Sequence, residues 1–257
     1  MDHNKLMKTG IILCLLFCFG SSIQVLFWNL RTFGIHRASN SNGLELSSIS
    51  NYSDLIFFAE VKDAECDTSR PITCPLRTFF QTHFPNHQVI LSPPLHYCDG
   101  HHSGSENYGI LIRNGIEFEQ VHYPDPECLF IRRPYGIRIK ENTYLTFHSN
   151  PGNERELVSL EKVFGYFQNQ NTLLIGDLNT GCHYVQFETL RKNPIGSNYD
   201  WILPENAFTN LEKSCPYDRI ITTKDLSNQV YDSRVLNHNR EAERIKSDHY
   251  PIALSVN

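Results

Sequence analysis

Several strand-length apolar runs in this chain stop abruptly on carboxylates, amides or imidazoles. Leu-Leu-Ile-Gly-Asp-Leu-Asn ends on Asp177 and Asn179, Leu-Ile-Phe-Phe-Ala-Glu on Glu60, and Tyr-Leu-Thr-Phe-His on His148. Phe-Trp-Asn-Leu-Arg carries Asn29 and Arg31, and Ser-Asp-His-Tyr-Pro sets Asp248 and His249 just ahead of a closing apolar run. Short continuous apolar runs are consistent with buried strands. A fold that buries them brings their polar ends out along one rim of a sheet-based core. Carboxylates, amides and two imidazoles on such a rim suit metal-assisted hydrolysis of a phosphate ester.

The rest of the pattern supports a sheet protein. Strands are expected over 23–30, 55–61, 89–91, 108–113, 116–122, 129–139, 144–148, 173–175, 217–222 and 250–256. Asn114-Gly115 between two of them predicts a hairpin. Helices are expected over 75–84 and 151–168; in the second, Leu157, Leu160, Val163, Phe164 and Phe167 recur at helical spacing. The segment 37–51 is polar and reads as a loop with some helix. Many strands, few helices and no regular βαβ repeat predict a layered α+β sandwich.

The chain has 257 residues, and 40% of them are hydrophobic, so it can bury a sizeable core and is not of disordered composition. Residues 1–22 read as a secretory signal peptide: Lys5 and Lys8 flank an apolar stretch, 11–19, that is short for a membrane span and is followed by Gly20, Ser21 and Ser22. Residues 23–257 are then expected to form a single domain without stable membrane insertion. The formal net charge of −5 gives no general attraction to a polyanion, so nucleic-acid binding would need a local basic patch.

Six cysteines follow the expected signal: Cys66, Cys74, Cys98, Cys128, Cys182 and Cys215. An even number in a secreted chain predicts three disulfides, with fifteen pairings open. Cys66 with Cys74 is the simplest local pair, leaving Cys98 for Cys128 and Cys182 for Cys215. No CxxC pair supports a zinc site instead. Asn51-Tyr52-Ser53 is an N-glycosylation acceptor.

Each polar strand end has a chemical reading. The Asn29 amide is suited to placing a metal, and Arg31 to holding a phosphate through a forked pair of hydrogen bonds. A carboxylate at the end of a buried strand, such as Glu60, needs a charge partner, either a basic side chain or an oxygen-preferring cation such as Mg2+ or Mn2+. Asp177 and Asn179 face the same way if their strand continues, and together can align a water and a phosphate. His249 can pair with Asp218, and His148 with Glu106. Two supported imidazoles can move protons around a phosphodiester.

Taken together, the strings FWNLRTFG (27–34), FFAEVKD (57–63), SENYGILIR (105–113), FHSNP (147–151), IGDLNTGCHYV (175–185), SCPYDRI (214–220) and SDHYPI (247–252) resemble the deoxyribonuclease I family of the endonuclease/exonuclease/phosphatase superfamily. The resemblance spans essentially the whole of 23–257. It implies a four-layer α/β/β/α sandwich with two central, mostly antiparallel β-sheets, and a secreted, metal-dependent endodeoxyribonuclease of little sequence specificity that leaves 5'-phosphate and 3'-hydroxyl ends.

Residue by residue, the resemblance puts Asn29, Glu60 and Asp248 at the metal. It makes His148 and His249 the catalytic imidazoles, supported by Glu106 and Asp218, with Asp177 and Asn179 orienting nucleophile and phosphate. It assigns Arg31, Lys62, Arg132 and Tyr184 to DNA contact, and Cys182 with Cys215 to a family disulfide. The implied partner is double-stranded DNA, with the protein a monomer; actin binding depends on surface loops that the sequence does not position.

Three departures stand out. Lys62 replaces an arginine, and Gly104 a tyrosine that packs on the minor groove. The short loop before Cys128 keeps only Asp125 and Glu127 of a calcium-binding region, so weaker Ca2+ dependence is expected. A lipid or inositol phosphodiesterase or phosphatase on the same scaffold, and a catalytically weak DNA- or protein-binding relative, are the competing readings.

Overall fold

The computed structural model describes residues 22–40, 46–48, 53–62, 74–95, 106–236 and 247–257. Residues 1–21, Asn51, Cys66, Cys98 and Gly104 lie outside the described residues.

Two six-stranded sheets face each other. The first has the order β11-β12-β1-β2-β4-β3, where β1 is Ile23–Gly34, β2 Leu55–Lys62, β3 His87–Leu91, β4 Asn107–Arg113, β11 Val230–Val235 and β12 Ile252–Val256. The second has the order β5-β6-β7-β8-β10-β9, where β5 is Glu119–His122, β6 Tyr135–Ile139, β7 Asn142–His148, β8 Asn171–Asp177, β9 Asp200–Trp201 and β10 Asp218–Thr222. One neighbouring pair in each sheet is parallel, β1 with β2 and β7 with β8; the other pairs are antiparallel.

The layering follows from strand alternation. In β1, Val25 and Phe27 enter the core between the sheets, while Leu26 and Trp28 face outward. The outward set packs on the helix Pro75–His83 through Phe80 and on Phe84 just beyond it. In the second sheet, Tyr144, Leu173, Ile175 and Ile220 face the inter-sheet core. Leu145, Phe147, Leu174 and Ile221 face the other way, against Leu157, Leu160, Val163 and Phe164 of the helix Glu154–Tyr166. Both faces of these strands are covered, which explains why their sequences read as continuous apolar runs. The expected four layers are therefore present.

Gly176 lets β7 and β8 lie together: a Cβ there would stand 1.9 Å from the Phe147 carbonyl oxygen. Among the described residues, no helix is long and apolar enough to cross a membrane.

The predicted hairpin at Asn114-Gly115 is not formed. The turn is present, with Gly115 at φ 92°, but β4 pairs with β2 and β3 while β5 pairs with β6. After the turn, Ile116 and Phe118 pack on the inter-sheet core, so the chain crosses between sheets. The strand expected over 129–139 begins only at Tyr135. Upstream, the Leu129 and Phe130 amides donate to the Asp125 carboxylate at 2.8 and 3.1 Å, so side chains replace a ladder there. Sequence periodicity also missed β11, a polar, partly exposed edge strand.

Candidate active site

Strand parity assembles the site. Asn29 continues the inward set of Val25 and Phe27, His148 that of Tyr144, Asp177 that of Leu173 and Ile175, and Asp218 that of Ile220. Register places His148 beside Asp177 and Asp177 beside Asp218 on adjacent strands. The side chains meet at one end of the cleft between the sheets, where all four are nearly inaccessible to solvent.

Glu60 arrives by a different route. Alternation would point it outward, but the β2–β4 register breaks between Phe58 and Val61, and Glu60 has φ 57°. A bulge re-aims a side chain in this way. Arg31, Thr32 and Asn179 share the left-handed conformation, at φ 50°, 53° and 47°. Non-glycine residues held there concentrate backbone strain around the site.

Asn29 connects the sheets. Its Nδ2 donates to Glu60 Oε1 at 3.0 Å and to Asp177 Oδ2 at 2.9 Å, while its Oδ1 accepts from the Arg31 amide at 2.9 Å. The other Glu60 oxygen accepts from the Thr32 amide at 2.8 Å. Asn179 donates its backbone N–H to Asp177 Oδ1 at 3.0 Å and its side-chain amide to the Ser149 carbonyl at 3.1 Å. Asp177 is thus held from two directions.

The two imidazoles flank this carboxylate. His148 Nε2 and His249 Nε2 lie 3.7 and 3.6 Å from Asp177 Oδ2. His249 Nδ1 is hydrogen-bonded to Asp218 Oδ2 at 2.8 Å. The His249 segment is pinned to β1: Trp28 Nε1 donates to the His249 carbonyl at 2.9 Å, and Ser247 Oγ donates to the Asn29 carbonyl at 2.6 Å.

His148 is supported less directly. Its Nδ1 is 3.7 Å from Glu106 Oε2 and makes no hydrogen bond, whereas Arg132 Nε donates to that same oxygen at 2.6 Å. The His148 amide donates to the buried Tyr108 hydroxyl at 2.9 Å. Tyr108 escaped the sequence reading, although it shares the strand face of Glu106.

The surroundings drive the two rings apart. Burial pushes His148 well below the ordinary histidine value, helped by the positive charges of Arg132 and His249. Burial also opposes a charge on His249, but Asp218 and Asp177 outweigh it and raise the ring to about 10. Burial drives Asp177 upward, against the pull of His249.

Among the described residues, Asp177, Asp218 and His249 bring possible metal-ligand atoms within 4.8 Å of one another. Asp218 Oδ1 is buried without a hydrogen-bond partner. The sequence-predicted metal residues Asn29 and Glu60 are in contact, and the third, Asp248, is more open and lies 3.8 Å from Arg31 Nε.

The expected DNA contacts are spread around this rim. Arg31 is about half exposed and bonded to Glu212 at 2.7 Å, a partner the sequence did not suggest. Lys62 is partly exposed at the end of β2. The Tyr184 ring lies tilted at 5.3 Å from that of Tyr217, whose ring is 6.1 Å from His249. Arg132 is mostly buried and turned toward Glu106. Cys182 and Cys215 are disulfide-bonded with Cα atoms 5.9 Å apart, linking the loop after Asn179 to the segment before Asp218. Cys74 and Cys128 are also disulfide-bonded; their expected partners lie outside the described residues. Of the residues left from the calcium region, Asp125 caps two amides and Glu127 binds Lys162.

This architecture matches the fold of solved endonuclease/exonuclease/phosphatase proteins. A solved structure so described, from Bacteroides vulgatus, matches with a TM-score of 0.57 at 13% identity, over 92% of this chain and 99% of the other. No family model matches the chain. The curated relatives are more specific: Deoxyribonuclease-1 of Gallus gallus is 25% identical over 270 residues, covering 92% of this chain and 93% of the relative. Deoxyribonuclease-1 of Bos taurus is 26% identical over 290 residues, covering both chains completely. The chain is thus similar over nearly its whole length to proteins named deoxyribonucleases, a likeness that supports a phosphodiester hydrolase.

Proposed function

We propose that this protein is a secreted, divalent-metal-dependent endonuclease that cuts double-stranded DNA with little sequence preference. The observation that carries the reading is the pair of buried imidazoles, His148 and His249, whose Nε2 atoms lie 3.7 and 3.6 Å from Asp177 Oδ2, with His249 hydrogen-bonded to Asp218. Two titratable groups pushed apart by their surroundings are suited to complementary acid and base roles.

In this reading His148, neutral at physiological pH, accepts a proton from the attacking water. The water oxygen bonds to phosphorus and the P–O3' bond breaks. His249, kept protonated by Asp218, gives its proton to the departing 3'-oxygen, leaving 5'-phosphate and 3'-hydroxyl ends. Asn179 and Asp177 orient water and phosphate, and Glu106 steadies the His148 side of the cleft. Arg31, Lys62 and Tyr184 contact the DNA backbone, which carries no base sequence information.

The oxygen-rich donor set fits a hard divalent ion. Glu60 and Asp248 would hold it, with Asn29 fixing Glu60. Bound there, Mg2+ or Mn2+ supplies charge screening for the phosphate. The signal-like residues 1–22 and the disulfide framework support secretion.

The test is nicking of supercoiled plasmid by the oxidised protein with Mg2+ or Mn2+, alongside an EDTA control. Metal-dependent nicking that disappears in folded His148→Ala is expected. Absence of cleavage by folded wild-type protein would overturn the nuclease reading and favour a lipid phosphodiester substrate or a binding role.

A further inference from the structure

Glu156 is a carboxylate with no exposed surface, in the first turn of the helix Glu154–Tyr166. Such a group is costly to bury unless its oxygens are satisfied. Its partners are two backbone amides from separate loops: Oε1 accepts from Ile131 at 2.6 Å and Oε2 from Asn150 at 2.6 Å. Its own amide donates to the capping Asn153 side chain. The carboxylate is therefore fixed at the helix end and joins two segments that no ladder connects.

Both segments lead to His148. Asn150 follows Ser149, whose amide donates to the Asp177 carbonyl at 2.9 Å and whose carbonyl accepts from the Asn179 side chain at 3.1 Å. Ile131 precedes Arg132, whose guanidinium holds Glu106 at 2.6 Å on the His148 side of the cleft. His148 has no side-chain hydrogen bond at Nδ1 to fix its ring, so its position depends on the backbone around it.

From these contacts we infer that Glu156 is a positioning residue for the catalytic cleft, holding the His148–Asn150 loop and the Ile131–Arg132 segment in mutual register. The inference rests on the nuclease reading for its catalytic consequence but not for its geometry. Glu156 touches neither imidazole and acts only through the two amides. Glutamine would keep one acceptor and face the other amide with a donor, so Glu156→Gln breaks one arm at nearly constant volume. Aspartate keeps the charge on a shorter reach.

Amide exchange in the wild type and the behaviour of substituted Glu156 separate this role from simple support of the fold. In wild-type protein, the Ile131 and Asn150 amides should exchange slowly with solvent although neither lies in a strand; fast exchange at both would overturn the inference whether or not the protein cuts DNA. In Glu156→Gln, kcat for plasmid nicking should fall about tenfold or more, as expected when reacting groups lose alignment. KM should change less than twofold, and the His148 ring resonances should move while those of the remote His87 stay in place. Glu156→Asp should restore part of the rate. Full wild-type kcat in folded Glu156→Gln, with unmoved His148 signals, would also overturn it. An inactive wild type with slow exchange at both amides would instead refute the nuclease reading and leave the positioning geometry standing.

Discussion

Asn29 on one sheet donates to Asp177 on the other at 2.9 Å, and the same nitrogen donates to Glu60 at 3.0 Å. A single buried amide thus bridges the two sheets at the cleft and orders two carboxylates that would otherwise repel each other.

Asn29→Ala removes both bonds and leaves Asp177 buried with fewer partners. Loss of a buried polar partner costs about 1–3 kcal/mol. Urea unfolding should register that loss, and nicking should fall because Asp177 and Glu60 lose their common anchor. A variant with wild-type midpoint and rate would refute this role.

His249 carries a pH signature. Its folded-state value, about 10, lies above the roughly 6.5 of an unfolded histidine. The native state binds the proton more tightly, so this stabilisation is fully present below about 6.5 and is lost as pH rises through the folded value. In EDTA, the wild-type Tm should decline between pH 7 and 10.5 more steeply than that of Asp218→Asn. Parallel declines would show that Asp218 does not hold the charge.

Arg31 and Arg132 should behave differently. Arg31 is a half-exposed residue whose bond to Glu212 is of the surface kind, worth about 0–1 kcal/mol. Arg31→Ala should leave Tm nearly unchanged, weaken DNA binding uniformly across sequences and reduce the salt-dependence slope by about one. An unchanged slope would remove Arg31 from the phosphate contacts.

Arg132 is mostly buried against Glu106. Breaking such a pair from one side costs about 3–5 kcal/mol when it is fully buried, and less here because both partners retain some exposure. Arg132→Ala should therefore lower both stability and kcat, by releasing Glu106 beside His148. If only KM rose, its role would be DNA contact alone.

The Cys182–Cys215 bridge closes a loop with a sequence separation of 33. Restricting the unfolded chain over that length is worth roughly 3–4 kcal/mol. Replacing both cysteines with alanine should lower the unfolding free energy by about that amount. The difference should largely vanish in reducing buffer, where the unfolding wild type loses the same bridge.

The apolar runs ending in Asn29, His148 and Asp177 were readable as strands because burial on both faces leaves an unbroken apolar signature. Their polar ends were readable as a site because buried polar groups require partners, and the family-like strings linked distant residues. By itself, then, the sequence determined the strand-rich sandwich and the chemical identities at its rim. Only the tertiary structure decided which groups touch. Asn114-Gly115 set a local turn but could not decide whether β5 returned to β4 or crossed to β6, because that choice rests on inter-sheet packing of Ile116 and Phe118. Likewise, alternation predicts the wrong face for Glu60 until a bulge turns it, and Arg132 binds Glu106 because the two sheets meet there. Periodicity is local; register, bulges and the partners of buried charges are settled when separate strands share one core.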